Sequence, residues 1–219
     1  MTHATDNVLV TGFEPFDGET VNPSQQVARA LDGTTIAGHR VIGASLPTEF
    51  ARALATLEEL IDRHRPGLVI ALGLAGGSAG ISLERVAVNL IDARIPDNAG
   101  AQPVDVAVVE NAPNAYFSTL PIKAMRTRLL QAGIPAAISH SAGTFVCNQV
   151  FFGLAHRLAT RHPGLRGGFV HVPWLPEQAA RHADAPHLPL ERMLEAVRLC
   201  VETALLTPAD VHYAAGTLQ

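Results

Sequence analysis

Leu68-Val69-Ile70-Ala71-Leu72-Gly73 is an unbroken apolar run of strand length. A strand apolar on both faces is one covered on both faces, as in a parallel sheet between helical layers. Upstream, Phe50, Ala53, Leu54, Leu57, Leu60 and Ile61 recur at helical spacing, so residues 50–64 read as an amphipathic helix that Pro66-Gly67 closes. Further upstream, Val41 to Leu46 reads as a strand that ends at Pro47-Thr48. Strand, helix, strand in that order is a βαβ unit, and its crossover is right-handed.

The alternation continues in both directions. Asn7 to Gly12 reads as a buried strand, followed by the loop Phe13-Glu14-Pro15-Phe16-Asp17-Gly18 and a helix that Ser24 caps, running to about Leu31. Ile81 to Ile91 alternates in part and then runs apolar. Ile122 to Ala132 reads as a helix ended by Gly133, Ile134 to Ile138 as a short strand, and Gly167 to Trp174 as another strand with His171 near its exit. Leu190, Met193, Leu194, Val197 and Val201 build a last helix. Residues 92–121 carry little periodicity, and a stretch that long in a compact domain reads as a functional lid. Residues 175–189 read as a loop. The expectation is an α/β three-layer sandwich: a mostly parallel, open, twisted central sheet with helices on both faces, in one domain over residues 1–219.

Composition narrows the function. The 219 residues carry 16 basic and 20 acidic side chains without a basic cluster, so nucleic acid and anionic membrane are poor partners. The 2 cysteines, Cys147 and Cys200, lie far apart and share no pairing motif, which fits a reducing compartment. Residues 1–6 lack a basic start and an apolar core, and no apolar run approaches the ~20 residues of a membrane span. A soluble, cytoplasmic protein is the expectation. No ligand cluster has metal-binding spacing, so neither metal nor cofactor is expected.

The chemistry gathers at Ser139-His140-Ser141-Ala142-Gly143-Thr144-Phe145-Val146-Cys147-Asn148-Gln149. This reads as a strand end, a glycine turn and a helix that opens at or near Cys147. The positive end of a helix favours thiolate over thiol. Two readings stand for Cys147, an inert buried thiol or a nucleophile. His171, at the end of a later strand, would face the same sheet edge, where open α/β proteins place their sites. It is either a structural histidine or the base. Glu84 sits among Leu83, Val86 and Val88, and a carboxylate in apolar surroundings needs a partner. Arg85, Arg94 and an imidazole N–H are the candidates. Phe13 and Phe16, two aromatics in one loop, either cap the core or wall an apolar pocket. The glycine-rich Leu74-Ala75-Gly76-Gly77-Ser78-Ala79-Gly80 matches no phosphate-binding fingerprint and instead suggests close approach of backbone to a ligand.

Six ordered segments give a resemblance over nearly the whole chain. They are Val8-Leu9-Val10-Thr11-Gly12-Phe13-Glu14-Pro15-Phe16, Asn22-Pro23-Ser24, Leu83-Glu84-Arg85-Val86-Ala87, Ala93-Arg94-Ile95-Pro96-Asp97-Asn98, Ala142 to Asn148, and Gly168-Phe169-Val170-His171-Val172-Pro173. The chain closely resembles the pyroglutamyl peptidase I, or pyrrolidone-carboxylate peptidase, family of cysteine exopeptidases. The resemblance implies a triad of Glu84, Cys147 and His171, and peptides with N-terminal pyroglutamate as substrates. It implies an aromatic pocket of Phe13 and Phe16 with Asn22 nearby, Arg94 close to the oxyanion, and Thr48, Leu74, Gly76 and Ile95 completing the substrate site. It also implies a homotetramer. Another cysteine-dependent amidase, or a lactam binder without turnover, are the alternatives. The sequence departs from the family in the loop after the Leu68–Gly73 strand, commonly Gly-Gln-Ala-Gly-Gly-Arg, where this chain has Leu74 and Ser78. Phe152 stands where a tyrosine is frequent near the site, and Trp174 replaces a common tyrosine.

Overall fold

The computed structural model describes residues 5–162, 164–182 and 185–216. Residues 1–4 of the start read above, and residues 183–184 of the 175–189 stretch, lie outside the described residues. A seven-stranded sheet has the order β2-β3-β1-β4-β9-β5-β8, formed by β1 (Thr5–Phe13), β2 (Thr35–Ile36), β3 (His39–Leu46), β4 (Pro66–Leu74), β5 (Ile81–Glu84), β8 (Ala136–Ser139) and β9 (Arg166–Val172). β3, β1, β4 and β9 are mutually parallel, β5 and β8 run together against them, and β2 is antiparallel to β3. The sheet is thus mostly parallel and open.

The apolar run in β4 belongs to two cores. Ile70 and Leu72 face one side, with α1 (Pro23–Leu31), α3 (Ile122–Gln131) and α6 (Leu190–Leu206). Val69 and Ala71 face the other, with α2 (Ala53–His64) and α4 (Val146–Thr160). Alternating side chains therefore meet helices on both faces, and each large one buried contributes roughly 1.5–3 kcal/mol.

Several sequence expectations change in detail. Asn22, not Ser24, is the N-cap of α1: its Oδ1 accepts from Ser24 N at 3.0 Å and Ser24 Oγ at 2.8 Å, while Ser24 Oγ accepts from Phe13 N at 3.0 Å. α2 begins at Ala53, because Phe50 is a cross-link rather than a helical residue. Its N–H donates to Asp97 Oδ2 at 2.8 Å and its carbonyl accepts from Gln149 Nε2 at 2.9 Å. The 81–91 stretch leaves the main sheet after Glu84; β6 (Val86–Val88) then pairs with β7 (Ala115–Phe117) in a separate ribbon. Within 175–189, Pro176–Ala179 forms the short helix α5.

The 92–121 stretch is tied down rather than free. The Asp97 carboxylate also accepts from Ala99 N at 2.9 Å and Ala101 N at 2.8 Å, and Ile91 bridges Val106. The Asn89 side chain exchanges two hydrogen bonds with the Val109 backbone, both 2.9 Å long. A segment fixed by buried or backbone-directed polar side chains gives no hydrophobic periodicity, so the sequence alone shows it as blank.

Candidate active site

Strand register assembles the site. In the parallel β4–β9 pair Gly73 lies opposite His171, and in the antiparallel β9–β5 pair Ser82 lies opposite His171. Gly73, His171 and Ser82 therefore form a row across one face of the sheet, the face that α4 covers. Glu84, two residues beyond Ser82, is the diagonal neighbour of His171, within reach of a long side chain. Its Oε1 lies 2.8 Å from His171 Nδ1. A carboxylate only accepts, so Nδ1 carries the proton and Nε2 is left for Cys147. Glu84 is 1% exposed and His171 5% exposed. Arg85 and Arg94 take no part in this pairing.

Cys147 reaches the imidazole from the helical layer. β8 ends at Ser139, the chain turns with Gly143 at φ 77°, and α4 opens at Val146. Thr144 fixes the turn, its Oγ1 donating to Asp92 O at 2.7 Å and its carbonyl accepting from Asp92 N at 3.0 Å. Asn148 fixes the helix start: its side chain accepts from Val88 N at 3.0 Å and donates to Val88 O and Leu90 O, each at 2.9 Å. Phe145, the N-cap, supplies no side-chain cap, so the first-turn N–H groups beside Cys147 are left open.

Electrostatics follow from this packing. Burial alone lowers the pKa of His171, because it penalises the cation. The hydrogen bonds to Cys147 and Glu84, and the charges of both, outweigh burial and push it up to about 10. The two partners therefore favour the imidazolium over the neutral ring. Cys200 stands in contrast: it is fully buried on α6, and burial pushes its thiol up to about 12.

The three residues open into a cavity of about 430 Å³. Phe16, Leu74, Ala75, Ile95, Ala142 and Phe145 make its apolar wall, and Asp92, Arg94, Ser82, Ser139, Ser141 and Thr144 its polar one. Phe16 and Phe145 rings are 6.1 Å apart, and Phe50 backs Phe145 edge-on at 5.1 Å. Among the described residues no carboxylate pairs with the Arg94 guanidinium.

Comparison with known proteins places the chain in a family. The family model for pyroglutamyl peptidase matches residues 6–207. The pyrrolidone-carboxylate peptidase of Cupriavidus taiwanensis is 55% identical over 213 residues, 96% of this chain and 98% of that one. That of Bacillus cytotoxicus is 50% identical over 210 residues, with 96% and 98% covered. The crystal structure of pyroglutamyl peptidase I from Bacillus amyloliquefaciens superposes with a TM-score of 0.93 at 43% identity, covering 96% of this chain and 100% of that one. A variant of the P. furiosus enzyme superposes at 0.89 with 45% identity, covering 92% and 99%. The chain belongs to the pyroglutamyl peptidase family. It is accordingly an enzyme, a peptidase.

Within that family frame, four expected pocket residues lie elsewhere. Phe13 closes β1 on the face of Leu9, is 2% exposed, and packs on Phe169 at 6.3 Å, so it belongs to the core behind the cavity. Asn22 and Thr48 do not line the cavity either. Both donate to the Glu14 carbonyl, at 3.2 Å and 2.8 Å, and Asn98 donates to Pro15 O at 2.9 Å. These three hold the loop that presents Phe16. Gly76 lies under Trp174, where an added Cβ would be 2.4 Å from the indole. The indole stacks in turn on His182 at 4.6 Å.

The departures from the family also gain places. Leu74 lines the cavity, while Ser78 turns away: its Oγ donates to Gly80 O at 2.7 Å and meets Ser82 Oγ at 3.0 Å. Phe152 is remote from the cavity, buried against Tyr116 at 5.2 Å, so no hydroxyl is lost from the site there. Sequence reasoning missed Phe145, Asp92, Ser82, Ser139 and Ser141 as lining residues. Phe145 was visible as an aromatic beside Cys147; the others carried no signal beyond proximity to the motifs.

Proposed function

We propose that this chain removes N-terminal pyroglutamate from peptides by nucleophilic catalysis with Cys147, His171 and Glu84. The observation that carries the reading is the 2.8 Å Glu84–His171 hydrogen bond in a cavity that Cys147 lines with both of them and that Phe16, Ile95 and Phe145 wall. Cys147 acts as thiolate beside the imidazolium of His171. It attacks the carbonyl between the lactam residue and the next one. The open N–H groups of the α4 first turn, with Arg94 at the cavity wall, stabilise the oxyanion. His171 gives its proton to the leaving amine, and water then hydrolyses the thioester. Glu84 holds the imidazole in the right tautomer and balances its charge.

The apolar wall suits a compact lactam ring. Proline has a similar ring but lacks the lactam carbonyl, and its charged secondary amine would have to shed water among Phe16, Ile95 and Phe145. An unpaired polar group costs ~1–3 kcal/mol and the desolvated charge more. Hydrolysis of pyroglutamyl, prolyl, glutamyl and glutaminyl anilides, with wild type and Cys147→Ser, tests the reading. Only the first should be cleaved, and only by wild type. Prolyl cleavage within about tenfold of pyroglutamyl would favour a general aminopeptidase.

The chain functions as one catalytic domain, in the cytoplasm and as a homotetramer. The family model spanning residues 6–207 supports the first. Among the described residues no helix is long and apolar enough to cross a membrane, and none of their His, Cys, Asp and Glu side chains group to hold a metal ion. The mechanism calls on neither a metal nor a cofactor.

A further inference from the structure

His171 is flanked across the sheet by two small residues, Gly73 on β4 and Ser82 on β5. Facing residues in a sheet bring their Cβ atoms to about 4.5–5.5 Å. A side chain at position 73 would therefore stand beside the imidazole, where the nucleophile has to arrive. The thiol occupies that space. A Cβ built on Gly73 lies 2.9 Å from Cys147 Sγ, and 2.9 Å from Cε1 and Cζ of Phe169. Non-bonded atoms of this size settle at about 3.5–4.0 Å, so both the thiol and the ring would have to give.

Phe169 has little room to give. It is fully buried, held by Phe13 at 6.3 Å and Phe151 at 5.9 Å, and its ring supports the His171 ring at 4.8 Å. Cys147 is only partly buried, and its sulfur moves about a single side-chain bond. The thiol would swing away from β4 and from the histidine.

We infer that Gly73 is a positioning residue for the nucleophile. Its missing side chain lets Cys147 Sγ seat against β4 within reach of His171. The inference rests on the reading of Cys147 as nucleophile given above. It differs from a demand for backbone freedom, because Gly73 is not among the glycines with positive φ. Gly164, in the loop between α4 and β9, has neither positive φ nor any atom within 4 Å of an added Cβ, and so serves as the control.

Gly73→Ala and Gly164→Ala are made in the full chain. Four quantities are measured: kcat and KM on pyroglutamyl anilide, the rate of iodoacetamide alkylation of Cys147 from about pH 5 to about pH 9, and the thermal midpoint. Gly73→Ala should fold and lose about 10–100-fold in kcat, as expected for a reacting atom displaced by up to ~1 Å, with KM changed by less than about threefold. Its alkylation should be slower than that of wild type at the acid end of that range, since the sulfur loses its imidazolium partner. Gly164→Ala should match wild type. A Gly73→Ala enzyme with wild-type kcat and alkylation profile overturns the inference.

Because the added methyl also meets the Phe169 ring, whether or not Gly73→Ala folds, Phe169→Leu is made alone and combined with it, which removes the ring contact and keeps the sulfur one. The combination should still be slower than Phe169→Leu alone in both assays; equality of the two overturns the inference. Should wild type leave pyroglutamyl anilide intact, the peptidase reading fails, and the alkylation profiles still decide the role of Gly73.

Discussion

Glu84→Gln isolates the charge of the orienting residue while keeping its shape. The carboxylate is 1% exposed and donates nothing; it accepts from His171 Nδ1 at 2.8 Å, and its Oε2 has no partner among the described residues. Burial opposes the imidazolium of His171, and the hydrogen bonds and charges of Cys147 and Glu84 outweigh it. A hydrogen bond to a charged group is worth about 1.5–3 kcal/mol, so losing the carboxylate costs up to ~10²-fold in a step that needs the cation. The amide adds a second fault. If its NH2 faces Nδ1, the ring must carry its proton on Nε2, which blocks proton transfer from Cys147; a wrong tautomer in such a triad costs up to ~10⁴ in kcat. The expected loss in kcat is therefore ~10²–10⁴, with KM changed by less than about threefold, because Glu84 acts through the histidine. Steady-state hydrolysis of pyroglutamyl anilide at neutral pH, with the thermal midpoint measured in parallel, reads it out. A rise in KM with unchanged kcat would refute the reasoning and place Glu84 in substrate binding.

Further outcomes follow from the same geometry. Iodoacetamide at neutral pH should label Cys147 and spare Cys200, whose thiol is held up to about 12 by burial; equal labelling of both in folded protein would contradict the assignment of the nucleophile. His171 binds its proton more tightly folded than unfolded, so its contribution to stability is complete below about 6.5 and is lost as pH rises through about 10. Thermal melts across that window should show wild type losing stability relative to His171→Gln, and parallel curves would count against the coupling. The N-terminus of α3 has no side-chain cap of its own at Pro121; Asp210 accepts instead from Lys123 N at 3.0 Å and Ala124 N at 2.9 Å. Asp210→Ala should therefore cost ~1 kcal/mol, or about 2–4 °C in Tm, without changing kcat, and an unaltered Tm would dismiss this remote cap.

Much of the fold was legible because hydrophobic periodicity is a local signal. The β4 run, the α2 stripe and the glycine stop of α3 each lie within a dozen residues, and each forms the element its pattern indicates. The direction of β5 was not legible, since nothing in Ile81-Ser82-Leu83-Glu84 reports which strand it will pair with or with which sense. Arg157 likewise reads as a solvated helix position, yet it is buried between Glu58, at 3.2 Å, and Asp62 of α2. The 92–121 stretch looked like a lid because its anchors are single polar side chains such as Asp97 and Asn89, which carry no period.

By itself the sequence determined the layered α/β architecture and nominated Glu84, Cys147 and His171, because apolar spacing, a helix start and a carboxylate in an apolar run are properties of neighbouring residues. Only the tertiary structure decided how the pocket is divided. It sent Phe13 into the core and Phe16 to the cavity, although the two lie three residues apart, because β1 continues through Phe13 and the chain then turns out at the loop held by Asn22, Thr48 and Asn98. It also placed Gly73 beside the thiol, a proximity that exists only once β4, β9 and α4 are brought together across 74 residues of chain from Gly73 to Cys147. Register between strands and the packing of a helix onto a sheet are long-range facts, and a linear sequence carries no distance between residues that far apart.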